Sequence, residues 1–221
     1  MKKMALALFA LALAVGFAQA HALYIIVNGE KVQVIFSDDL KPDEKIKADT
    51  WKKVGTPLLV ARTGSTSITV STKMGESALV VDAKEKFDVI CGATVYGISK
   101  HGDKPKHLTF LYKHVSGVSG DAASLGKKCE LDIIPVVADG KLKFQVKSLG
   151  EAVANTTVEI ILPGKDEKVK AMTDGKGFTK EFDMKGVYGV TARKSETKAG
   201  EYVGEKYEEV GFTATLVTEL K

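Results

Sequence analysis

The chain has 221 residues, 27% charged and 44% hydrophobic, with 32 basic side chains against 28 acidic ones. That balance excludes a disordered polyelectrolyte. The two signs are interspersed, as in Lys41-Pro-Asp-Glu-Lys-Ile-Lys47, so no basic stripe with interleaved aromatics is offered to nucleic acid.

Residues 1–20 read as a secretory leader. Lys2 and Lys3 form a positive start, Met4 to Val15 an apolar run, and Ala18-Gln19-Ala20 a small-x-small cleavage site. The run is too short for a comfortable membrane span and no stop-transfer pattern follows. A protein that is periplasmic or secreted, and not membrane-embedded after cleavage, is expected. Cleavage after Ala20 makes His21 the first residue and leaves a net charge of +2. Ala20-His21-Ala22 is a rival small-x-small site that removes His21. Two cysteines in an exported chain, Cys91 and Cys129, predict a disulfide. Two separate buried thiols or a redox pair are the other readings.

Past residue 21 the apolar runs are short and strand-like. Leu23 to Phe36 reads as a hairpin turning at Asn28-Gly29, where both residues tolerate positive φ. Strands are predicted at Leu58–Ala61, Ser67–Val70, Ala78–Val81, Val89–Tyr96 and Leu108–Tyr112, separated by Gly, Ser, Thr and Asp. Thr63-Gly-Ser-Thr-Ser67 is a turn, since it lacks the Gly-Lys-Thr ending of a phosphate loop. The small, glycine-rich stretch around Ser116 to Gly126 reads as a linker or long surface loop. It divides the chain into units at 21–116 and 130–221, with a linker at 117–129.

The second unit is again strands: Leu131–Val136, Leu142–Lys147 with Leu142, Phe144 and Val146 inward, Thr156–Leu162, Val169–Thr173, Phe178–Phe182, Val187–Ala192 and Phe212–Val217. At Asp174-Gly-Lys-Gly177 the chain turns and Phe178 re-enters the core. Hardly any segment has helical periodicity. The fold class expected is all-β, as two sandwich-like domains. One sandwich with a long insertion is the alternative.

Gly150-Glu-Ala-Val-Ala-Asn-Thr-Thr-Val-Glu-Ile160, Thr173-Asp-Gly-Lys-Gly-Phe178 and Gly186-Val-Tyr-Gly-Val-Thr-Ala192 resemble the strand pair, turn and closing strand of transthyretin-like or carboxypeptidase-regulatory-like sandwiches. Four stretches spread over the mature chain carry a second likeness. They are His21-Ala-Leu-Tyr24, Ile35-Phe-Ser-Asp-Asp-Leu-Lys-Pro-Asp-Glu44, Val95-Tyr-Gly-Ile98 with Leu108-Thr-Phe-Leu-Tyr-Lys-His114, and Gly204 to Leu216. Together they resemble the exported bacterial domain-of-unknown-function family 4198, associated with periplasmic components of nickel and cobalt uptake. The resemblance implies an Ig-like or transthyretin-like sandwich pair, a nickel or cobalt cargo, and a membrane metal-uptake transporter or another envelope protein as partner.

All four histidines, His21, His101, His107 and His114, fall in the first unit. Imidazole suits nickel, copper and zinc. A histidine at a free amino terminus offers its amine and Nδ1 in one chelate ring. His114, at the end of a strand and so at a sandwich rim, is the expected second ligand. His101 and His107 are outer contributors on a lysine-rich loop, and are equally read as solvated loop residues. Asp38-Asp39 and Asp43-Glu44 offer oxygen ligands, or are simply solvated turns. No Ser-His-Asp arrangement or nucleophile elbow is visible, so a non-catalytic protein is expected. The enzymatic alternative resembles the copper monooxygenases of polysaccharides, with His114 beside Tyr112 or Tyr96. The chain has a single tryptophan, Trp51, and no flat aromatic surface for gripping a polymer. A non-catalytic envelope module that binds a protein or glycan through its loops is the remaining class.

Overall fold

The computed structural model describes residues 21–83, 86–100, 104–165 and 167–221. The expected leader, His101 with its neighbour Asp103, and Asp166 lie outside the described residues. The described residues are all-β, with 58% of them in strands and 6% in helix.

The first unit contains β1 (Ala22–Asn28), β2 (Lys31–Ser37), a short helix α1 (Ala48–Val54), β3 (Leu59–Thr63), β4 (Thr66–Val70), β5 (Thr72–Met74), β6 (Leu79–Val81), β7 (Val89–Ser99) and β8 (Lys106–Val115). The second contains β9 (Asp132–Ala138), β10 (Lys141–Ser148), β11 (Glu151–Ala152), β12 (Thr157–Ile161), β13 (Lys168–Met172), β14 (Gly186–Tyr202) and β15 (Glu205–Leu220). Among the described residues these make three sheets, ordered β1-β2-β6-β5, β11-β10-β9 and β13-β12-β14-β15-β8-β7-β3-β4.

The predicted first hairpin is present, but it turns one residue later than expected, at Gly29-Glu30. Asn28 stays in the strand opposite Lys31, and of the expected turn pair only Gly29 takes positive φ, 62°. Its alternation explains its position. Leu23, Ile25, Val32, Val34 and Phe36 face one core with Leu59, Ile90, Phe110 and Tyr112. On the other face Ala22, Tyr24, Ile26 and Ile35 pack on Ile161 and Val217 of the second unit. β1 is therefore buried on both sides, with Ala22 through Ile26 all buried. Tyr24 Oη hydrogen-bonds Thr191 Oγ1 at 2.7 Å, and Thr215 Oγ1 donates to the Leu23 carbonyl, so the hairpin is also tied across the units by polar contacts.

Each unit has a main core of its own, but Val89 and Val115 of the first unit pack in the second's, and the two units share a sheet. β15 runs parallel to β8 from Glu209 opposite Lys106 to Thr218 opposite Val115. The stretch expected as a linker is anchored. Gly120–Ala123 forms a 3-10 turn, Ala123 is fully buried in the second core, and Arg62 donates to the carbonyls of Ala122 and Ser124. Small residues let this segment lie close against the sheet, which a purely compositional reading takes for looseness.

The inward set Leu142, Phe144 and Val146 is buried as expected. The turn at Asp174 is also as expected: its Oδ1 accepts from the N–H groups of Lys176 and Phe178, and Gly177 takes φ 77°. Phe178–Phe182 differs from expectation. It pairs with β10 through two isolated bridges and not as a continuous strand, and Phe178 is half-buried under the Lys143 ammonium while Phe182 enters the core. β14 and β15 run further than predicted, because polar residues 193–211 continue the hairpin past the apolar core.

Candidate functional site

The loop that follows β2 is shaped by its own aspartates. Asp39 Oδ1 accepts from Ser37 Oγ and from the Lys41 N–H, and Asp43 Oδ1 accepts from the Lys45 N–H. Side-chain-to-backbone bonds of this local kind fix a turn without secondary structure. The loop folds back beside the residue that precedes β1, His21.

The His21 ring is half-buried between two carboxylates. Nε2 lies 2.9 Å from Asp43 Oδ2, a hydrogen bond, and Nδ1 lies 3.6 Å from Asp38 Oδ2. This bond is the main reason the Asp43 carboxyl sits below the usual carboxylate range, with the Lys45 N–H adding to it. In the neutral ring, donation from Nε2–H to Asp43 leaves the lone pair on Nδ1. The Nδ1 gap to Asp38 is too wide for a hydrogen bond. Asp38 Oδ1 is buried with no hydrogen-bond partner. Phe36 stacks on the His21 ring at 5.5 Å and in turn on Tyr96 at 6.0 Å, which holds the imidazole against an aromatic wall.

The fit to a cation follows from these distances. Two donors each about 2.1 Å from one ion stand roughly 3.0–3.6 Å apart for angles between 90° and 120°. A carboxylate bonded to the distal nitrogen of a ligating histidine is the usual outer support of such a ligand. Among the described residues no group of three or more His, Cys, Asp or Glu side chains is arranged to hold a metal ion. A cation between His21 and Asp38 would need a further donor, and the amine of a His21 at a free amino terminus would close a chelate ring with Nδ1.

Of the other histidines, His107 and His114 do not join this site, and His101 lies outside the described residues. His114 hydrogen-bonds the Ile25 backbone and meets Phe87 edge-on at 6.3 Å. Ile25 is four residues along β1 from His21, about 13 Å at strand rise. The expected pairing of His21 with His114 is thus corrected, because His114 meets β1 at its middle, away from the His21 end. Burial pushes His114 down to about 4, and its Nδ1 has no partner. His107 is held between Tyr202 at 4.7 Å and Tyr207 at 5.1 Å on the β14–β15 hairpin. It lies seven residues from His114 on β8, and an odd spacing puts the two on opposite faces. Tyr112, a candidate neighbour for a copper at His114, is in the core. Its hydroxyl is 2.9 Å from Thr94 Oγ1, and burial pushes it up to about 12.

Cys91 and Cys129 are separate, partly buried thiols, which corrects the expected disulfide for this structure. Cys91 lies on β7 opposite Lys113, and Cys129 Sγ donates to the Leu131 carbonyl at 3.3 Å. Burial pushes both thiols up, Cys129 to about 11. Both feel the buried Lys113–Asp132 ion pair, a feature that sequence reading missed and that no local pattern around Tyr112-Lys113-His114 announces.

Compared with protein-family models, with curated proteins and with solved structures, the chain matches none.

Proposed function

We propose that this protein is an exported, non-catalytic accessory that binds a divalent transition metal at His21 and hands it on outside the inner membrane. The observation that carries the reading is the His21 ring itself. One nitrogen is fixed by Asp43, and the other faces Asp38 across 3.6 Å, beside an unpartnered carboxylate oxygen. Cleavage after Ala20 adds the amine, giving two nitrogens and one carboxylate with Asp43 as outer support. Nickel or cobalt is the cargo by the family likeness, and copper suits the same donors. A membrane metal-uptake transporter or another envelope protein is the partner that such a role requires. In this reading the second unit, a transthyretin-like sandwich, is a scaffold or docking module paired with an Ig-like first unit.

The test is amino-terminal peptide and native mass spectrometry of the exported protein, with and without added nickel or cobalt. The expected chain begins at His21 and gains one metal ion that His21→Ala abolishes. A chain beginning at Leu23, or one beginning at His21 that stays metal-free at micromolar metal, overturns the reading.

A further inference from the structure

Sheet edges are where a β protein is open to another chain, and natural sequences guard them with charge, proline or cover. Nearly every edge here is guarded. β13 carries Lys168 and Lys170, β5 carries Lys73, β11 carries Glu151, and β9 carries Asp132 and Pro135. The outer side of β1 is covered, with the Leu23 carbonyl taken by Thr215 and the Ile25 backbone by His114. β4 is the exception.

β4 ends the eight-stranded sheet, and nothing among the described residues pairs with its outer side. Its sequence, Thr66-Ser-Ile-Thr-Val70, has no charge and no proline, and the uncharged run extends from Thr63 to Thr72. Thr66, Ser67, Ile68 and Thr69 are all exposed, Ile68 at 47%. On the neighbouring strand and just before it, Val60 and Leu58 are exposed at 44% and 67%.

The register fixes which groups are free. β3 and β4 are joined by a two-residue turn at Gly64-Ser65, with Thr63 opposite Thr66. The pair that flanks such a turn is hydrogen-bonded, and pairs alternate from there. Ser67 and Thr69 therefore point their N–H and C=O groups outward.

We infer that β4 is a self-pairing edge, and that its occupant is β4 of a second copy of this chain, antiparallel about a two-fold axis at Ile68. In that register Ser67 and Thr69 of each copy exchange four hydrogen bonds. Ile68 meets Ile68, and Thr66 meets Val70. Every cross-strand pair is neutral and four of the five residues are β-branched, so the strand is complementary to itself, as an isologous contact requires. A foreign segment would gain no advantage from that symmetry. Five paired residues with a few apolar neighbours fall short of the roughly 1,000 Å² of a stable interface, so the dimer is weak, with Kd of about 10–100 μM. The inference does not depend on the His21 site.

Sedimentation equilibrium of the exported protein in chelator, from about 1 μM to about 1 mM, tests it. The expected mass rises towards twice that of the monomer. Ile68→Lys sets like charges face to face and should weaken the dimer at least about tenfold. Thr69→Pro removes one outward N–H, a place where an edge strand tolerates proline, and should also weaken it. Circular dichroism checks that both variants fold. A wild-type chain that stays monomeric throughout, or folded variants that dimerise as well as the parent, overturns the inference. A monomer that captures an extended synthetic peptide at β4 also overturns it, in favour of a foreign strand.

Discussion

The ammonium of Lys113 and the carboxylate of Asp132 meet in the interior, at 2% and 3% side-chain exposure, and join β8 of the first unit to β9 of the second. Lys113 also donates to the Ala123 carbonyl, and Asp132 accepts from the Leu125 N–H at 2.8 Å. Burial pushes the Lys113 ammonium below the usual lysine range, and Asp132 opposes that shift. Removing one partner leaves the other charge buried and unpaired. Lys113→Met should therefore lower unfolding stability by about 3–5 kcal/mol. Adding Asp132→Asn, which keeps an acceptor for Leu125, should restore a large part of the loss. Urea denaturation of the three variants measures the coupling.

Acid should weaken the fold in a window set by His114. Burial lowers this group from 6.5 to about 4. Between those values the unfolded chain binds a proton that the folded chain refuses. The contribution is present in full above about pH 6.5, falls as pH drops, and levels off below about 4, for a total of roughly 3 kcal/mol. Asp43 and Asp174 lie below the usual carboxylate range, so their losses come at still lower pH. His114→Gln should flatten stability between pH 6.5 and 4, as read by thermal melts across that range. A slope that survives the substitution assigns the acid sensitivity elsewhere.

Gly92 is required by packing. A Cβ there would stand 2.4 Å from Leu59 Cδ2 and 2.7 Å from Tyr112 Cε2, in the first unit's core. Gly92→Ala should cost about 1–3 kcal/mol through overpacking. Gly175, where a Cβ meets nothing within 4 Å and φ is ordinary, is the control. Gly175→Ala should be neutral or slightly stabilising. Comparing the two Tm values decides whether volume is the cause.

The two aspartates flanking His21 should separate in a metal titration. Asp38→Ala removes the oxygen facing Nδ1 and should abolish measurable binding at micromolar metal. Asp43→Asn loosens only the outer support and should weaken affinity about 10–100-fold. Asp39→Asn, at a residue engaged with Ser37 and Lys41, should leave affinity within a few-fold. Calorimetry with nickel on the protein beginning at His21 distinguishes these. Equal effects of all three would reduce the loop to a diffuse acidic surface.

Much of the local structure was legible in the residues. Asn28-Gly29 marked the first hairpin, though the chain turns one residue later at Gly29-Glu30 with positive φ only at Gly29 of the marked pair, and strict alternation at Leu142, Phe144 and Val146 set an inward face. Seven-residue α1 was not legible, since Ala48-Asp-Thr-Trp-Lys-Lys-Val54 is too short for a periodic signal. The hairpin beyond Arg193 was missed because its exposed polar residues lack the apolar alternation of a half-buried strand. At the candidate site, His21 and the paired aspartates could be named from sequence, but their mutual distances could not.

What the sequence by itself determined was the all-β character, most strand positions and the residue types able to hold a cation, because each depends on neighbours within a few positions of the chain. The tertiary structure alone decided three things. β15 runs parallel beside β8, joining the two units in one sheet. His114 faces Ile25 and Phe87 while Asp38 and Asp43 face His21. Lys113 finds Asp132. Each is a contact between residues that no local periodicity relates, chosen by how buried faces and buried charges are satisfied together in three dimensions.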